Sequence, residues 1–147
     1  MQIRRGRPDD LPALLELETA CFEEERRDSP KVFRHSMGSP FQEIWIAEED
    51  NELLGSLFLR FHPHTCRIHS IAVSPSARGR GIGARLLEKA RARARARGCA
   101  RMSLEADARN SNLLHWYQQN GYKITKTLPD YYTPGWHGCR LTRNLRP

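Results

Sequence analysis

The sequence predicts an α+β fold in which a mixed, mostly antiparallel sheet of about seven strands carries about four helices. Two observations predict it. Residues 42–61 alternate in hydrophobicity on either side of Asp50-Asn51, a pattern typical of a β-hairpin. Residues 65–106 run from a strand through a glycine-rich loop and a helix into a second strand, and strands connected in this way lie parallel. An all-parallel sheet is therefore excluded.

The N-terminal part is predicted to form one strand and two helices. Residues 2–5 form the strand, and Pro8-Asp9-Asp10 opens a helix that continues to Cys21. Apolar positions recur three and four residues apart in this helix, which runs through Leu11, Leu14, Leu15, Leu17, Glu18 and Cys21. Ser29 is the expected N-cap of the second helix, which Gly38-Ser39-Pro40 ends.

The middle of the chain is predicted to hold a parallel strand pair. A strand over residues 65–73 precedes a helix over residues 81–97, which Gly98 closes, and residues 101–106 form the next strand. We expect strand segment 68–73 to run parallel to this last strand.

The C-terminal part is predicted to form a short helix and two closing strands. The helix covers residues 110–120 and ends at Gly121. Strands over residues 122–128 and 138–145 follow, and the loop PDYYTPGWH joins them.

Size and composition favour one domain over residues 1–147, in a cytoplasmic protein that is a monomer or a dimer. No window approaches the ~18 consecutive apolar residues of a membrane span, and the N-terminus lacks the apolar core of a signal peptide. The four cysteines show no C-x-x-C spacing, so we expect reduced thiols. The net charge of +7 suits nucleic acid, a ribosome or a polyphosphate ligand, and charge alone selects none of them.

Arginines recur at alternate positions of the predicted helix 81–97. At about 100° per residue, Arg91 and Arg95 share one helical face, and Arg93 and Arg97 share another. The remaining positions form a packing stripe of Leu86, Leu87, Ala90 and Ala94. No aromatic residues are interleaved with the arginines, so a solvated helix surface is favoured over direct nucleic-acid binding.

The stretch IAVSPSARGRGIGARLL, residues 71–87, runs from an apolar strand through three alternating glycines into a helix. Missing Cβ atoms let a ligand approach the backbone closely, and the N–H groups at a helix start carry a partial positive charge. The loop is therefore predicted to bind an anion such as a phosphate.

Other known phosphate-binding motifs fit this loop less well. GRGIGA, residues 79–84, formally matches the dinucleotide fingerprint G-x-G-x-x-[GA]. That motif needs its first glycine almost at the strand end, whereas residues 74–78 intervene here. A G-x-x-x-x-G-K-[ST] loop is excluded, because no Lys-Ser or Lys-Thr follows the glycines. A plain tight turn remains an alternative.

Read as Arg78-x-x-Gly81-x-Gly83 after Ile71-Ala72-Val73, the segment resembles the acyl-coenzyme A loop of the GNAT N-acetyltransferase superfamily. The resemblance covers nearly the whole chain in its order of strands and helices. It implies a GNAT-like fold in which the central parallel strands splay into a V-shaped slot.

A later stretch, LEADARNSNLLHWYQQNGY, resembles the ribosomal-protein-alanine (peptide N-terminal) acetyltransferase branch of that superfamily. Glu105, Asn110 and Tyr117 occupy the recurring positions of the branch, and Asp130-Tyr131-Tyr132 matches its Tyr-Tyr loop. Residues 134–138, PGWHG, depart from the acidic residues that are more common there, which leaves a ribosomal substrate open.

The resemblance implies that acetyl-CoA is the co-substrate and that the reaction needs no metal. Backbone groups of Ile71 and Val73 would pair with the pantetheine arm, and the loop would hold the pyrophosphate with help from Arg78 and Arg80. The implied cofactor-binding residues are Ile71, Ala72, Val73, Arg78, Gly79, Arg80, Gly81, Ile82, Gly83, Ala84, Asn110 and Tyr117. The alternative for Arg80 is a side chain that points to solvent.

Acetyl transfer to an amine requires a neutral amine, a polarised carbonyl and a proton for the leaving thiolate. At the positions that the resemblance singles out, Glu105 is the candidate base, with Asp107 as the alternative, and Tyr117 is the candidate acid. The residues alone also allow a strand-end ion pair for Glu105 and simple aromatic packing for Tyr117. Asn110 is expected to cap its helix and face the cofactor, and Asn112 is less favoured.

The expected acceptor is a protein or peptide N-terminal amine, because an α-amine of pKa about 8 loses its proton more readily than a lysine of about 10.4. Alternatives are a small amine, a polyamine or a lysine, and the non-enzymatic alternative is a basic RNA- or ribosome-binding module. The resemblance places the acceptor near Tyr131, Tyr132 and Glu23-Glu24-Glu25, and makes a ribosomal protein a possible partner. A missing fourth ligand favours ordinary strand-end roles over a metal site for three histidines: His62, His64 and His69.

Overall fold

Residues 1–146 are the part of the chain that the computed structural model describes, and they contain seven strands and four α-helices. The strands are β1 Gln2–Arg5, β2 Gln42–Glu49, β3 Glu52–Phe61, β4 Thr65–Val73, β5 Arg101–Asp107, β6 Lys123–Thr133 and β7 Trp136–Asn144. The helices are α1 Leu11–Cys21, α2 Pro30–Gly38, α3 Ile82–Ala96 and α4 Ser111–Gln119. The predicted α+β class is confirmed.

The strands form one mixed sheet in the order β1-β2-β3-β4-β5-β7-β6, in which β4 and β5 are parallel and the other neighbours are antiparallel. Pairing between β4 and β5 ends at Ile68 and Leu104. Beyond that point β4 continues beside β3 to Val73, and β5 continues beside β7 to Asp107. The two central strands therefore separate, and the predicted V-shaped opening is confirmed.

The first hairpin is specified by its turn. Asp50 and Asn51 connect β2 to β3 with φ angles of 51° and 63°. A tight two-residue hairpin turn requires positive φ at both positions, and aspartate and asparagine adopt this region more readily than other non-glycine residues. The hairpin expected over residues 42–61 is therefore confirmed.

Polar side chains accept backbone hydrogen bonds near the starts of the first two helices. A 3-10 turn over Pro8–Asp10 precedes α1, so the α-helix begins at Leu11 and not at Pro8 as the sequence predicts. The Asp10 carboxylate accepts the Arg7 N–H at 2.7 Å, which stabilises this tighter turn. Ser29 caps α2 as predicted, because its hydroxyl accepts the Val32 N–H at 3.3 Å.

Two apolar clusters lie on opposite faces of the sheet. Leu57 and Leu59 belong to the cluster under α3, and Phe58 belongs to the cluster under α1 and α2. Successive strand residues point to opposite faces, which explains this division. The predicted stripe of α3 is buried in the first cluster: Leu86, Leu87, Ala90 and Ala94.

The structure corrects the predicted final loop, PDYYTPGWH. β6 extends to Thr133 and β7 begins at Trp136, so the two tyrosines lie in a strand and not in a loop. Pairing is irregular between Leu128 and Thr133, where Asp130 has a φ of 54° and its carboxylate accepts the Gly135 N–H at 2.7 Å. The sequence prediction is wrong because only Pro134 and Gly135 form the turn between the strands, while Asp130 lies in a local bulge within β6.

Every helix within residues 1–146 is too short or too polar to cross a membrane. The four cysteines are free thiols, as predicted, and three of them are buried. Burial raises the pKa of the Cys66 thiol to about 12, which keeps it protonated and unreactive.

Candidate active site

A glycine-rich loop meets the N-terminus of α3 at the mouth of the V. Gly79 and Gly81 have φ angles of +82° and +78°, which glycine adopts without steric cost. The first hydrogen bond of the helix runs from the Arg85 N–H to the Gly81 carbonyl. Among residues 1–146, no backbone group accepts from the N–H groups of residues 81–84. These groups and the positive end of the helix can bind an anion.

A cavity of about 670 Å³, here called the main cleft, runs from this loop into the opening between β4 and β5. Its volume lies within the range of roughly 300–1,000 Å³ that is typical of small-molecule sites. Twelve predicted site residues line it: Ile71, Ala72, Val73, Arg78, Gly79, Gly81, Ile82, Gly83, Ala84, Glu105, Asn110 and Tyr117. The structure therefore brings the anion-binding loop and both candidate catalytic residues to one cleft.

Arg80 lies apart from these residues. Its guanidinium donates to the Glu49 carboxylate at 2.9 and 3.0 Å, and it is not among the residues that line the main cleft. Both side chains are exposed, so the ion pair is a weak one. A phosphate contact from Arg80 would require this pair to open, and it stays a prediction.

The carbonyl of Val73 already has protein partners. Arg78 Nε donates to it at 3.1 Å, and the Cys21 thiol donates to it at 3.4 Å. A pantetheine amide that paired with this carbonyl would compete with two protein donors. The contact with Cys21 could not be predicted from the sequence, because Cys21 lies in α1, 52 residues before Val73 in the chain.

Gly83 serves a different purpose from the two glycines before it. A Cβ atom at this position would lie 3.2 Å from the indole ring of Trp116, whereas one at Gly79 or Gly81 would meet nothing within 4 Å. The missing side chain therefore lets α3 and α4 pack closely at the cleft.

Glu105 is the first residue of β5 beyond the last parallel pair, and it lines the main cleft. Its side chain is 8% exposed. Arg67 Nε donates to Oε2 at 3.1 Å, and Arg140 Nη2 donates to Oε1 at 3.4 Å. Glu105 is thus a cleft residue that also forms the strand-end ion pair, and its role as the base stays a prediction.

Asp107, the alternative base, is less suited to that role. Arg109 donates to its carboxylate at 2.9 Å, and this hydrogen bond lowers the pKa of Asp107 to about 2. A carboxylate with so low a pKa is a weak proton acceptor. It also lies outside the lining of the main cleft.

Tyr117 is a buried residue that lines the main cleft. It is 4% exposed, and its ring contacts Trp116 and Tyr122 edge-on at centroid distances of 5.0 and 5.7 Å. Burial raises the pKa of its phenol above the usual value of 10, so the group keeps its proton at neutral pH. The ring packs in the core, and the residue also lines the cleft.

Asn110 caps α4, as predicted. Its side-chain oxygen accepts the Leu113 N–H at 3.1 Å, and the residue lines the main cleft. Asn112, the less favoured alternative, lines the cleft as well.

A second cavity of about 450 Å³, here called the side cavity, adjoins the main cleft and shares five lining residues with it: Phe22, Arg26, His69, Ser70 and Glu105. Tyr131 and Tyr132 line it, and their rings are 4.9 Å apart. Arg26 stacks on the Tyr132 ring at 4.7 Å. Of the predicted acceptor residues, Glu25, Tyr131 and Tyr132 therefore line the same cavity as the candidate base, whereas Glu23 and Glu24 do not.

Sequence reasoning missed the role of a chain of polar contacts at the side cavity. His69 Nε2 lies 2.9 and 3.0 Å from the two carboxylate oxygens of Asp28, and the Asp28 N–H donates to Glu18 Oε2 at 2.9 Å. One signal was available, because Glu18 is a charged residue in the inward stripe of α1. Within the described residues no group of three or more His, Cys, Asp or Glu side chains could hold a metal ion.

A splayed parallel strand pair beside a glycine-rich helix start agrees with the acyl-coenzyme A-dependent transferase fold that the sequence resemblance implies. The model of the acetyltransferase (GNAT) family matches residues 11–122, and the chain belongs to this family. It is an N-acetyltransferase, and acetyl-CoA is its co-substrate.

Solved structures with the same fold cover almost the whole chain. The ribosomal-protein-S18-alanine N-acetyltransferase from Escherichia coli is 19% identical, with a TM-score of 0.89 over 99% of this chain and 94% of that one. The aminoglycoside 6'-N-acetyltransferase from Enterococcus faecium is 19% identical, with a TM-score of 0.84 over 100% and 98%. The yncA protein from Salmonella typhimurium, solved with its cofactor acetyl-CoA, is 19% identical, with a TM-score of 0.82 over 100% and 95%.

Proposed function

We propose that the chain transfers the acetyl group of acetyl-CoA directly to the N-terminal amine of a protein or peptide. The observation that supports this acceptor is the side cavity, which adjoins the main cleft at Glu105 and lies beside two tyrosines. A chain terminus can enter such an open cavity while the rest of the peptide stays outside.

The main cleft suits acetyl-CoA, which supplies the acetyl group as a thioester. The free N–H groups of residues 81–84 would hold its pyrophosphate, with Arg78 beside them. Ile71 and Val73 would bind the pantetheine arm through their backbone groups. Asn110 would face the same arm from the start of α4.

Glu105 and Tyr117 would carry the proton transfers. Glu105 would take a proton from the acceptor nitrogen, directly or through water. Tyr117, whose phenol stays protonated, would donate a proton to the leaving thiolate. A protonated phenol can supply this proton at pH 7. Burial makes Tyr117 a weaker acid than the coenzyme A thiol, whose ordinary pKa is about 8.5, so the transfer must accompany the breaking of the C–S bond.

The side cavity is lined by more carboxyl groups than guanidinium groups: Glu18, Glu25, Asp28 and Glu105 against Arg26 and Arg67. The carboxyl groups suit an ammonium group of any amine. The two arginines can also donate hydrogen bonds to the carbonyl groups of a peptide, which a polyamine lacks. A ribosomal protein is a candidate partner, since one of the structural relatives is an S18-alanine acetyltransferase.

The arginines of α3 offer little support for a nucleic-acid function. Arg93 and Arg97 donate to Glu43 at 2.9 and 3.3 Å, and Arg91 donates to Glu88 at 2.8 Å. These contacts neutralise part of the basic face. Membership of an acetyltransferase family favours the enzyme over the RNA-binding module.

Thermal unfolding tests the co-substrate site. A ligand at 100 times its Kd stabilises a protein by about 2.7 kcal/mol. For a chain of this size that corresponds to a rise in Tm of roughly 5–10 °C with acetyl-CoA. NAD is the matched control, because it would fill the competing dinucleotide site. A shift with NAD and none with acetyl-CoA would overturn the assignment of the loop.

Mass spectrometry of acetylated products tests the acceptor. The panel comprises a peptide with a free N-terminal alanine and an internal lysine, the same peptide with a blocked N-terminus, and spermidine. We expect a single acetyl group on the α-amine of the first peptide and none on the others. Preferential modification of lysine or spermidine would replace the proposed acceptor by one of those amines.

A further inference from the structure

Glu18 is a buried carboxyl group beside the acceptor site. It lies on the inward face of α1, is 4% exposed, and lines the side cavity. Its Oε2 atom accepts the backbone N–H of Asp28 at 2.9 Å. No side chain or backbone group within residues 1–146 donates to its other oxygen, Oε1. Half of this carboxyl group is therefore available to a ligand in the cavity.

Its burial has an energetic consequence. A carboxylate removed from water needs a compensating charge or several hydrogen bonds, and Glu18 has one backbone donor. Burial is the main cause that raises the pKa of Glu18 to about 7, from an ordinary value of 4.5. A carboxyl group whose pKa lies near 7 can both accept and release a proton readily at pH 7.

Cationic groups face Glu18 from two directions. Arg26 and Arg27, in the segment between the first two helices, lower the pKa of its carboxyl group, although less than burial raises it. Arg67 and His69, on β4, line the same side cavity. None of the four donates a hydrogen bond to Glu18, so its carboxylate has no direct cationic partner within the described residues.

Acidic groups and phenols complete the surroundings of Glu18. Asp28 and Glu25 lie in the segment between α1 and α2, and Glu105 lies on β5. Tyr131 and Tyr132 face the cavity from β6. Asp28 raises the pKa of Glu18 through its negative charge. A substrate ammonium that entered the cavity would relieve this repulsion.

The proposed reaction removes two protons from the acceptor nitrogen. The ammonium, R–NH3⁺, loses one proton to become the attacking amine. The N–C bond then forms, the C–S bond breaks, and the nitrogen loses its second proton as the amide is completed. The thiolate gains one proton from Tyr117, so one proton is released overall. One acid and two proton-accepting events are needed.

We propose that Glu18 accepts the first of these protons, from the ammonium group of the peptide terminus, and that Glu105 accepts the second at the thioester. The inference rests on the proposed peptide acceptor. Glu18 lines only the side cavity, whereas Glu105 lines both cavities, so of the two carboxyl groups only Glu105 also borders the cleft proposed for the thioester. Glu105 also has a guanidinium donor on each oxygen, which leaves Glu18 as the less encumbered acceptor.

The variant Glu18→Gln separates this role from a structural one. The glutamine amide oxygen can still accept the Asp28 N–H, while the proton acceptor is lost. Roughly one tenth of an α-amine of pKa ~8 is unprotonated at pH 7, so kcat/KM for an N-terminal alanyl peptide should fall about tenfold. The loss should disappear for the same peptide beginning with trifluoroalanine, because its fluorines withdraw electrons and leave most of the amine unprotonated at pH 7.

Glu16→Gln is the matched control, since Glu16 is exposed on the same helix. It should leave both peptides unaffected. An equal loss with both peptides in the Glu18 variant would show a structural role and overturn the proposal. Failure of the wild-type protein to acetylate either peptide would instead overturn the proposed peptide acceptor. The ammonium group that is proposed to give its proton to Glu18 would then be absent.

A measurement on the wild-type protein does not depend on how the variant folds. Carbon-13 NMR of the glutamate carboxyl carbons follows the titration of Glu18 directly. We expect an inflection well above that of an exposed glutamate, and a change in its position when the alanyl peptide is added. Titration in the ordinary range would overturn the proposal whatever the kinetics of the variant.

Discussion

At the scale of single residues, the phenol of Tyr117 has the most specific proposed task. Tyr117→Phe removes one oxygen and keeps the edge-on ring contacts with Trp116 and Tyr122. We expect kcat to fall about a hundredfold, as is common for loss of a general acid, while KM for acetyl-CoA changes less than roughly twofold. Steady-state kinetics with varied acetyl-CoA measures both constants.

Tyr122→Phe is the matched control for this substitution. The Tyr122 hydroxyl is buried without a hydrogen-bond partner among the described residues, and its ring touches that of Tyr117. Its removal should leave kcat unchanged. Equal activity in the Tyr117 variant would remove that residue from the acid role.

The sequence could identify single residues where a local motif surrounds them. Glu105, Asn110 and Tyr117 lie within a short stretch whose strand and helix can be read directly, and all three line the main cleft. The contact between His69 and Asp28 could not be read in this way. The two residues lie 41 positions apart, so no local pattern indicates their contact.

At the scale of secondary-structure elements, the loop before α3 depends on a left-handed backbone. Gly81→Ala places a Cβ atom at a φ of +78°, which costs roughly 1–2 kcal/mol unless the loop rearranges. Rearrangement would turn the N–H groups of residues 81–84 away from an anion. KM for acetyl-CoA should therefore rise about tenfold, as ~1.4 kcal/mol corresponds to a factor of ten.

Gly38→Ala is the control for this prediction. Gly38 ends α2, and a Cβ atom there would meet nothing within 4 Å. KM for acetyl-CoA should remain at the wild-type value in this variant. An unchanged KM in the Gly81 variant, measured in the same initial-rate assay, would show that the loop does not hold the co-substrate.

The elements themselves differ in how far the sequence determines them. The Asp50-Asn51 turn and the Ser29 cap act through neighbouring residues, so both could be predicted. The final hairpin could not, because its irregular pairing depends on contacts across the two strands. His137 Nδ1 accepts the Asp130 N–H at 2.9 Å, and no local pattern indicates that bond.

At the scale of the whole molecule, Glu43 joins β2 to α3 through a buried ion pair. Its side chain is 2% exposed, and Arg93 donates to both of its oxygens at 2.9 and 3.0 Å. The pKa of this carboxyl is lowered to about 2, because hydrogen bonds from Arg93 and Trp45 outweigh its desolvation. Its stabilisation is therefore present above the ordinary value of 4.5 and is lost as pH falls toward 2.

Glu43→Gln should lower the free energy of unfolding by about 2 kcal/mol at pH 7, since a hydrogen-bonded charge is replaced by a neutral amide. The difference from wild type should shrink as the pH is lowered below 4.5, where wild-type Glu43 in the unfolded chain is already protonated. Urea unfolding at several pH values measures this trend. Glu52→Gln, at an exposed position, should have no such effect, and a pH-independent loss at Glu43 would exclude the ion pair as its cause.

The early end of the pairing between β4 and β5 divides the sheet into two blocks, β1 to β4 and β5 to β7. Four residue pairs of main chain join the blocks, from Thr65 and Arg101 to Ile68 and Leu104. Beyond these four pairs, β4 and β5 no longer pair with each other, so the edge of each strand that faces the other is open. A molecule bound there bridges the two blocks. The rigidity of the enzyme around the reacting groups therefore depends on the bound molecule as well as on the protein.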